Sequence, residues 1–344
     1  MWSFSKQKWL EPKSVGAIFR RLALHCGLAL AMASPLAAAP ASRFDHLYVI
    51  VLENHGFDDG IANGPLPFVK KLAEEQGVAT FYFGIAHPSL PNYLAMIGGD
   101  DFGVRDDQPS CYATHIAPST PCHKIEGDSL VDQLEKAGLT FALYAESLPK
   151  TGDLVHVAPN EPGGAIYAQK HNPFAYFTQI ATNPARLARL KNFDALAADL
   201  AAGTAPNFAL IVPNQCHDGH GLAICHDRDG LTRDYDAFVR EAVTMIRASS
   251  SWTDRSAIVI TFDESANSLY PEDAPSDIAR HAAGIDNHVA TLVVTRCGQP
   301  HQDATRFNHF SLLATIEDGF GLPRLRKAGD AAAMTGLFEA ACSP

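Results

Sequence analysis

The chain has 344 residues, of which 47% are hydrophobic and 19% charged, enough apolar material for one large α/β domain or two ordinary ones. Its formal net charge is −11, which argues against nucleic acid or an anionic membrane as the main partner, since both need a positive footprint. A small phosphorylated substrate fits such a chain only where positive charge is gathered locally.

Residues 1–41 read as a targeting segment. Lys6, Lys8, Lys13, Arg20 and Arg21 precede an apolar stretch from Leu22 to Ala39, and Ala39-Pro40-Ala41 offers a small-x-small cleavage site. His25, Cys26 and Pro35 interrupt the stretch, whereas a spanning helix needs about 20 clean apolar residues. A signal peptide over 1–41 and an exported protein, periplasmic or extracellular, are the expectation. Cleavage would remove five Lys and Arg and one Glu, taking the net charge from −11 to −15. Residues 42–344 are then expected to form a single domain without stable membrane association.

Along that domain, apolar runs predict strands at residues 46–52, 79–84, 140–145, 207–212, 256–262 and 288–295. Helices are predicted at 67–76, 127–137, 183–201, 233–249 and 310–320, with a short one from about Leu90 to Ile97. The runs Val49–Leu52 and Ile258–Phe262 are almost wholly apolar, as in parallel strands covered on both faces. The alternation predicts an α/β fold, a mostly parallel central sheet flanked by helices on both faces. Two irregular segments, 149–183 and 265–284, are expected to form cap-like elements near the site.

Both of those runs end in a pair of oxygen ligands, Glu53-Asn54 and Asp263-Glu264. Ligands of open α/β sheets bind beyond the carboxyl ends of the strands, and two such pairs in equivalent places suggest one cation site. An oxygen-only set favours hard cations such as Ca²⁺, Mg²⁺ or Mn²⁺. Ser89 stands at the expected N-cap of the Leu90–Ile97 helix, with Pro91 in the first turn. A serine there faces the positive end of a helix, which attracts phosphate oxygens.

Seven segments carry a resemblance. VIVLENHGFDD, AHPSLPNYLAMIGG, YAESLP, AQKHNPFAYF, PNQCHDGHG, ITFDES and NHFSLLATIEDGFGLP run in order from about residue 46 to residue 323. Together they resemble the phosphoesterase family of acid phosphatases and phospholipases C, within the alkaline-phosphatase-like superfamily. The resemblance implies an alkaline-phosphatase-like fold and a metal-dependent phosphoric monoester hydrolase with a covalent phosphoserine at Ser89. It implies one divalent metal ion, held by Glu53, Asn54, Asp263 and Glu264 with the Ser89 oxygen. Two-zinc relatives in the superfamily use several His ligands. Here the acidic pairs have one histidine neighbour, His55, so a single hard cation fits better, with zinc not excluded. His171 and His220 are expected to be catalytic. His217, Asp218 and Glu146 are expected on the substrate side, with His87 and His309 as turn, capping or packing residues. A phospholipase C-type phosphodiesterase is the alternative, and a non-catalytic metal-stabilised module a further one.

Six cysteines lie beyond the leader, an even count that favours disulfides in an exported chain. Closeness suggests Cys111–Cys122 and Cys216–Cys225, leaving Cys297–Cys342. A zinc site using Cys216, His217, His220 and Cys225 is the rival reading.

Overall fold

The segment HLYVIVL becomes strand β1, His46–Leu52, and every residue after His46 in it is buried. Burial on both faces is what a continuous apolar run requires. Further along come β2 (Gly77–Phe83), β3 (Phe141–Ala145), a two-residue pair β4 (Val157–Ala158) and β5 (Tyr167–Ala168), and β6 (Leu190–Asn192). Then follow β7 (Phe208–Val212), β8 (Ser256–Phe262), β9 (His288–Thr295), β10 (His301–Asp303) and β11 (Phe307–Asn308). This computed structural model describes residues 44–159, 164–265 and 287–339, all within one unit spanning Pro40–Pro344. The expected leader and nearly all of 265–284 lie outside the described residues.

Nine strands form one sheet in the order β10-β2-β9-β8-β1-β7-β3-β6, with β11 also pairing β2. β1 is parallel to both β7 and β8, and β3 is parallel to β7 and β6. β9 is antiparallel to β8 and to β2. Two reversals restore direction, so β2 runs the same way as β8. The carboxyl ends of β1, β2, β3, β7 and β8 therefore share one side of the sheet. The sheet is mixed but mostly parallel, with helices around it.

The helix after β2 spans Ser89–Gly98, and all ten of its residues are buried. It closes on Gly99, whose φ of 69° is the left-handed conformation that glycine adopts cheaply. Other expected helices appear at Pro67–Glu75, Leu130–Lys136 and His309–Phe320. The helix expected over 233–249 is longer, Arg228–Ala248, because the Asp227 side chain caps it by accepting from Gly230 N.

The single helix expected over 183–201 is not formed. Asn183 caps a four-residue helix, Pro184–Leu187, β6 follows, and a second helix runs Ala195–Ala201. Leu190 pairs with Leu143, so edge-strand hydrogen bonding to β3 overrides the local helical pattern. The segment 149–183, expected to be cap-like, sends several side chains inward. His171, Phe174, Tyr176, Phe177 and Ile180 in it are all buried.

Candidate active site

Each of five parallel strands delivers site residues just past its carboxyl end. Glu53 follows β1, Ser89 comes six residues after β2, and Glu146 follows β3. His217, Asp218 and His220 come after β7, and Asp263 follows β8. The turn into Ser89 is fixed by one side chain. Asn92 Oδ1 accepts from Ile85 N (2.8 Å) and Ala86 N (3.2 Å), while its Nδ2 donates to Ala86 O (2.9 Å). Ser89 is the first helical residue rather than the N-cap, a position that Pro88 holds, and it caps no backbone N–H. Its hydroxyl is engaged elsewhere: Oγ donates to Glu53 Oε2 at 2.8 Å.

Glu53 is the hub. Fully buried, it accepts from Tyr93 OH at 2.6 Å through Oε1, and His171 Nε2 stands 3.2 Å from the same oxygen. His220 Nδ1 is 3.9 Å from Oε2. Burial alone would raise Glu53, but His171, Lys170 and His220 outweigh it and hold the carboxylate well below the usual range. The Tyr93 ring stacks on His171, with centroids 5.4 Å apart, so the two groups that grip Glu53 also brace each other.

Asn54 and the second pair lie alongside. Asn54 has φ +49°, and in that conformation its N–H reaches Asp263 Oδ1 (3.3 Å) while Nδ2 donates to Glu264 Oε1 (3.2 Å). His87 Nδ1 is 2.6 Å from Glu264 Oε2, so His87 is more than a turn residue. His309 is buried, with Nδ1 3.0 Å from Tyr82 OH and Nε2 2.5 Å from the Asp263 carbonyl, a clamp on the β8 end. Burial pushes the Asp263 carboxyl well up, and repulsion from Glu53 and Glu264 adds to it. Glu264 is raised by burial and by Glu53, against the pull of His87.

Among the described residues, no three His, Cys, Asp or Glu side chains are gathered as a ready-made metal cage. The donor chemistry still fits a hard cation. Asn54 Oδ1 and Asp263 Oδ2 are buried without a hydrogen-bond partner among the described residues, an arrangement that is costly unless something electropositive meets them. Three carboxyl groups that repel one another lower their energy around a cation.

The CHDGHG loop closes the site from the β7 side. Glu53 N donates to Asp218 O (2.8 Å), and His55 Nε2 meets Gly219 O at 3.0 Å. Gly219 has φ +100°, and a Cβ there would stand 2.8 Å from the His55 ring, so no other residue fits without a shift. Asp218 Oδ1 accepts from His220 N, and burial with the Glu53 charge pushes its carboxyl up to about 7. Burial lowers His220, partly opposed by Glu53. His217 stands apart: its Nδ1 is 2.8 Å from Glu146 Oε1, a hydrogen bond that raises its pKa against burial. Glu146 also accepts from Asn214 N. Cys216 and Cys225 form a disulfide, which rules out the zinc reading for them. Cys111–Cys122 is the second pair, and Cys297 is disulfide-bonded as well, while Cys342, its expected partner, lies outside the described residues.

The phosphoesterase family matches residues 59–323, most of the chain. The chain belongs to that family. A probable acid phosphatase of Kluyveromyces lactis is 29% identical over 84% of this chain and 62% of its own length. This chain thus spans about three fifths of that relative. A phosphatidylinositol-3-phosphatase of Mycobacterium tuberculosis is 26% identical over 88% of this chain and 86% of its own. Among solved structures, a protein of the alkaline phosphatase superfamily from Vibrio parahaemolyticus aligns with TM-score 0.51 and 14% identity, over 83% of this chain and 71% of that one. The PsFucS1 sulfatase of Pseudoalteromonas gives 0.54 and 11%, over 87% and 72%. These two likenesses establish the fold.

Around Ser89 of this phosphoesterase the structure brings together Glu53, His171 and His220, and with them neighbours that the sequence does not single out. Tyr93 and Asn92 sit in the same HPSLPNY segment as Ser89, and Lys170 precedes His171. The only available signal was their place inside the matching segments, because the bonds they make run to residues distant in sequence. His288 Nε2 lies 3.0 Å from Thr80 O and its ring stacks on Phe57, a packing role at the start of β9.

Proposed function

We propose that this chain is an exported, metal-dependent phosphoric monoester hydrolase that works through a covalent phosphoserine at Ser89. The observation that carries the reading is the Ser89 hydroxyl, buried at the start of a helix and hydrogen-bonded to Glu53 where five strand ends converge. With its proton directed to Glu53, Oγ has lone pairs available for phosphorus, and the helix start favours the phosphate oxygens. Glu53, Asn54, Asp263, Glu264 and Ser89 would hold one divalent hard cation. Such an ion, when bound, neutralises phosphate charge and lowers the pKa of a coordinated hydroxyl.

The protein's own groups divide the remaining work. In the first step Oγ gives up its proton and bonds to phosphorus, and the ester oxygen leaves with the bonding pair and takes up a proton, so charge balances. His220, whose side chain is 23% exposed, would supply that proton. His171 is buried against Glu53 and keeps that carboxylate ionised and oriented. Water then attacks the phosphoserine, releasing phosphate and the serine hydroxyl. His217, held by Glu146 and 41% exposed, faces the substrate side as a cation for anionic groups. Asp218 shapes the loop between them.

The relatives support monoesters, since both named above are phosphatases. The match to the Mycobacterium tuberculosis relative across most of both chains favours testing an inositol-lipid monoester beside soluble ones. Export is supported by the disulfides, which persist in oxidising compartments. Among the described residues no helix is long and apolar enough to cross a membrane, and the charge of −11 disfavours nucleic acid and anionic bilayers as partners.

The test is Ser89→Ala on metal-loaded protein, with acid-quench trapping of wild type. Loss of the nucleophile should cost at least ~10³-fold in kcat, and phosphoserine should map to Ser89. An alanine variant that keeps more than about a tenth of wild-type activity overturns the covalent route. A panel of aryl phosphate, phosphatidylinositol monophosphate and phosphatidylcholine separates monoesterase from phospholipase C activity.

A further inference from the structure

Lys170 is an element of the site that the reading above does not use. It lies in the single turn Gln169–His171, between two buried side chains. Gln169 fixes that turn on three sides: its N–H donates to His156 O (2.8 Å), Oε1 accepts from Ser110 N (2.9 Å), and Nε2 donates to Leu154 O (3.0 Å). From this anchor the Lys170 side chain, only 16% exposed, places Nζ 3.3 Å from Ser89 Oγ and 3.1 Å from Asp107 Oδ2. The other Asp107 oxygen accepts from Leu90 N at 2.9 Å, the residue after Ser89. Lysine, aspartate and the first turn of the Ser89 helix are thus tied in one loop of bonds.

We propose that Lys170 is a catalytic residue of the second half-reaction, its ammonium stabilising Ser89 Oγ as that oxygen leaves phosphorus, with Asp107 as its positioning residue. This rests on the phosphoserine reading. In the resting protein Oγ has two partners: it donates to Glu53 and accepts from Lys170. Once phosphorylated, Oγ has no proton and can no longer donate to Glu53. A lysine N–H still reaches it, because a bridging ester oxygen remains an acceptor. In hydrolysis a water oxygen bonds to phosphorus, the P–Oγ bond breaks, and Oγ keeps the electron pair. The water loses one proton and the serine oxygen gains one, so atoms and charge balance and Lys170 gives up nothing. A cation fixed beside the departing oxygen meets charge as it develops.

The effect is asymmetric between the two steps. Holding charge on Oγ makes it a better leaving group but a weaker nucleophile, so its benefit falls mainly on dephosphorylation. The Asp107 carboxylate, 3.1 Å from Nζ, gives the ammonium an ion-pair partner beside Ser89.

Rapid-quench kinetics on the full chain, loaded with whichever of Mg²⁺, Ca²⁺ or Mn²⁺ supports turnover, resolves phosphorylation and dephosphorylation of Ser89 with 4-nitrophenyl phosphate. Lys170→Met is expected to slow dephosphorylation about 10²- to 10³-fold, and phosphorylation by much less. Phosphoserine then accumulates toward full occupancy, and kcat becomes independent of the leaving group across aryl phosphates. Lys170→Arg, which keeps the charge and the Asp107 pair, should recover part of the loss. Equal slowing of both steps, or a higher KM with dephosphorylation unchanged, overturns the proposal. Should Lys170→Met not fold by circular dichroism, Asp107→Asn decides. It keeps Oδ1 for Leu90 and releases the lysine, so dephosphorylation should slow about tenfold, and an unchanged rate overturns the assignment. Failure of the underlying reading looks different, since wild type itself would then give no phosphoserine at Ser89.

Discussion

Removing the Cys216–Cys225 disulfide separates a restraint on the unfolded chain from a restraint on the geometry of the site. It closes a loop with a sequence separation of nine that carries His217, Asp218 and His220. For about ten residues the loop-closure entropy lost from the unfolded chain corresponds to about 2.7 kcal/mol at 25 °C. In a domain of about 300 residues that is a drop in Tm of about 4 °C. In the folded state the loop has other tethers. Glu53 N holds Asp218 O, His55 holds Gly219 O, Gln215 N donates to Ile166 O and Cys216 N donates to Asn214 Oδ1. Serine at 216 and 225 leaves all four bonds in place. The double variant Cys216→Ser, Cys225→Ser is therefore expected to melt about 4 °C lower, with kcat/KM for an aryl phosphate within about threefold of wild type below the transition. Calorimetry and steady-state kinetics on the same preparation make the comparison. An unchanged Tm with activity lost would refute the reasoning, because the bond would then hold catalytic geometry rather than restrict the unfolded chain.

Asp263→Ala removes charge and a coordinating oxygen together, so isothermal titration with Mn²⁺ should show affinity reduced at least ~10-fold. Full affinity would remove Asp263 from the ligand set. Glu146→Gln should lower the pKa of His217, whose upward shift comes first from the Glu146 hydrogen bond. The charged imidazole now persists to higher pH than a free one, and in the variant that charge is lost earlier as pH rises. Nuclear magnetic resonance titration of His217 reads this directly, and a stationary midpoint counts against the pairing. Glu317 is buried in the helix His309–Phe320 and its carboxyl is pushed up to about 8, burial being the main cause. A raised folded pKa gives stability that is complete below the unfolded value near 4.5 and is lost as pH climbs through 8. Glu317→Gln stays neutral and keeps an acceptor for Leu325 N, so its Tm should gain on wild type steadily between pH 5 and pH 8, by about 1.4 kcal/mol of stability per unit at most. Parallel curves would mean that Glu317 ionises normally.

The parts of the fold readable from sequence are those in which one short segment decides the outcome. β1 and β8 fall at the expected residues because six consecutive apolar or β-branched positions, 47–52 and 257–262, have few alternatives to a buried strand. The stretch 183–201 misled because its alanines and leucines suit a helix, whereas Leu190–Asn192 answers to an edge of β3 some 47 positions away. The same division holds in the site. Glu53, Asn54, Asp263 and Glu264 could be found because strand ends are where parallel sheets put ligands. Tyr93, 40 residues from its Glu53 partner, and Lys170, 81 residues from Ser89, are ordinary buried-helix and loop residues until the chain is folded. His309 reads as a helix-start residue and proves to hold the Asp263 carbonyl.

The charge balance of the site explains why those less legible residues are there. A chain of net charge −11 that gathers Glu53, Asp218, Asp263 and Glu264 at one place has no general attraction for a phosphate. Four buried carboxyl groups cannot all ionise side by side. Glu53 does, since Lys170, His171 and His220 surround it, while burial and the Glu53 charge raise Asp218 and Asp263. Lys170 is thus positive charge that composition alone could not supply, fixed within reach of the one serine that needs it, with the His171 and His220 rings beside Glu53. Replacing Lys170 by a neutral residue takes that support from Glu53 as well as from Ser89. Glu53 should then compete less well for the cation, and a modest loss of Mn²⁺ affinity in Lys170→Met would accompany the kinetic defect. A rise in affinity is the opposite and equally measurable outcome, expected if the ammonium mainly repels the ion. The sign of that change shows which of its two neighbours Lys170 serves more.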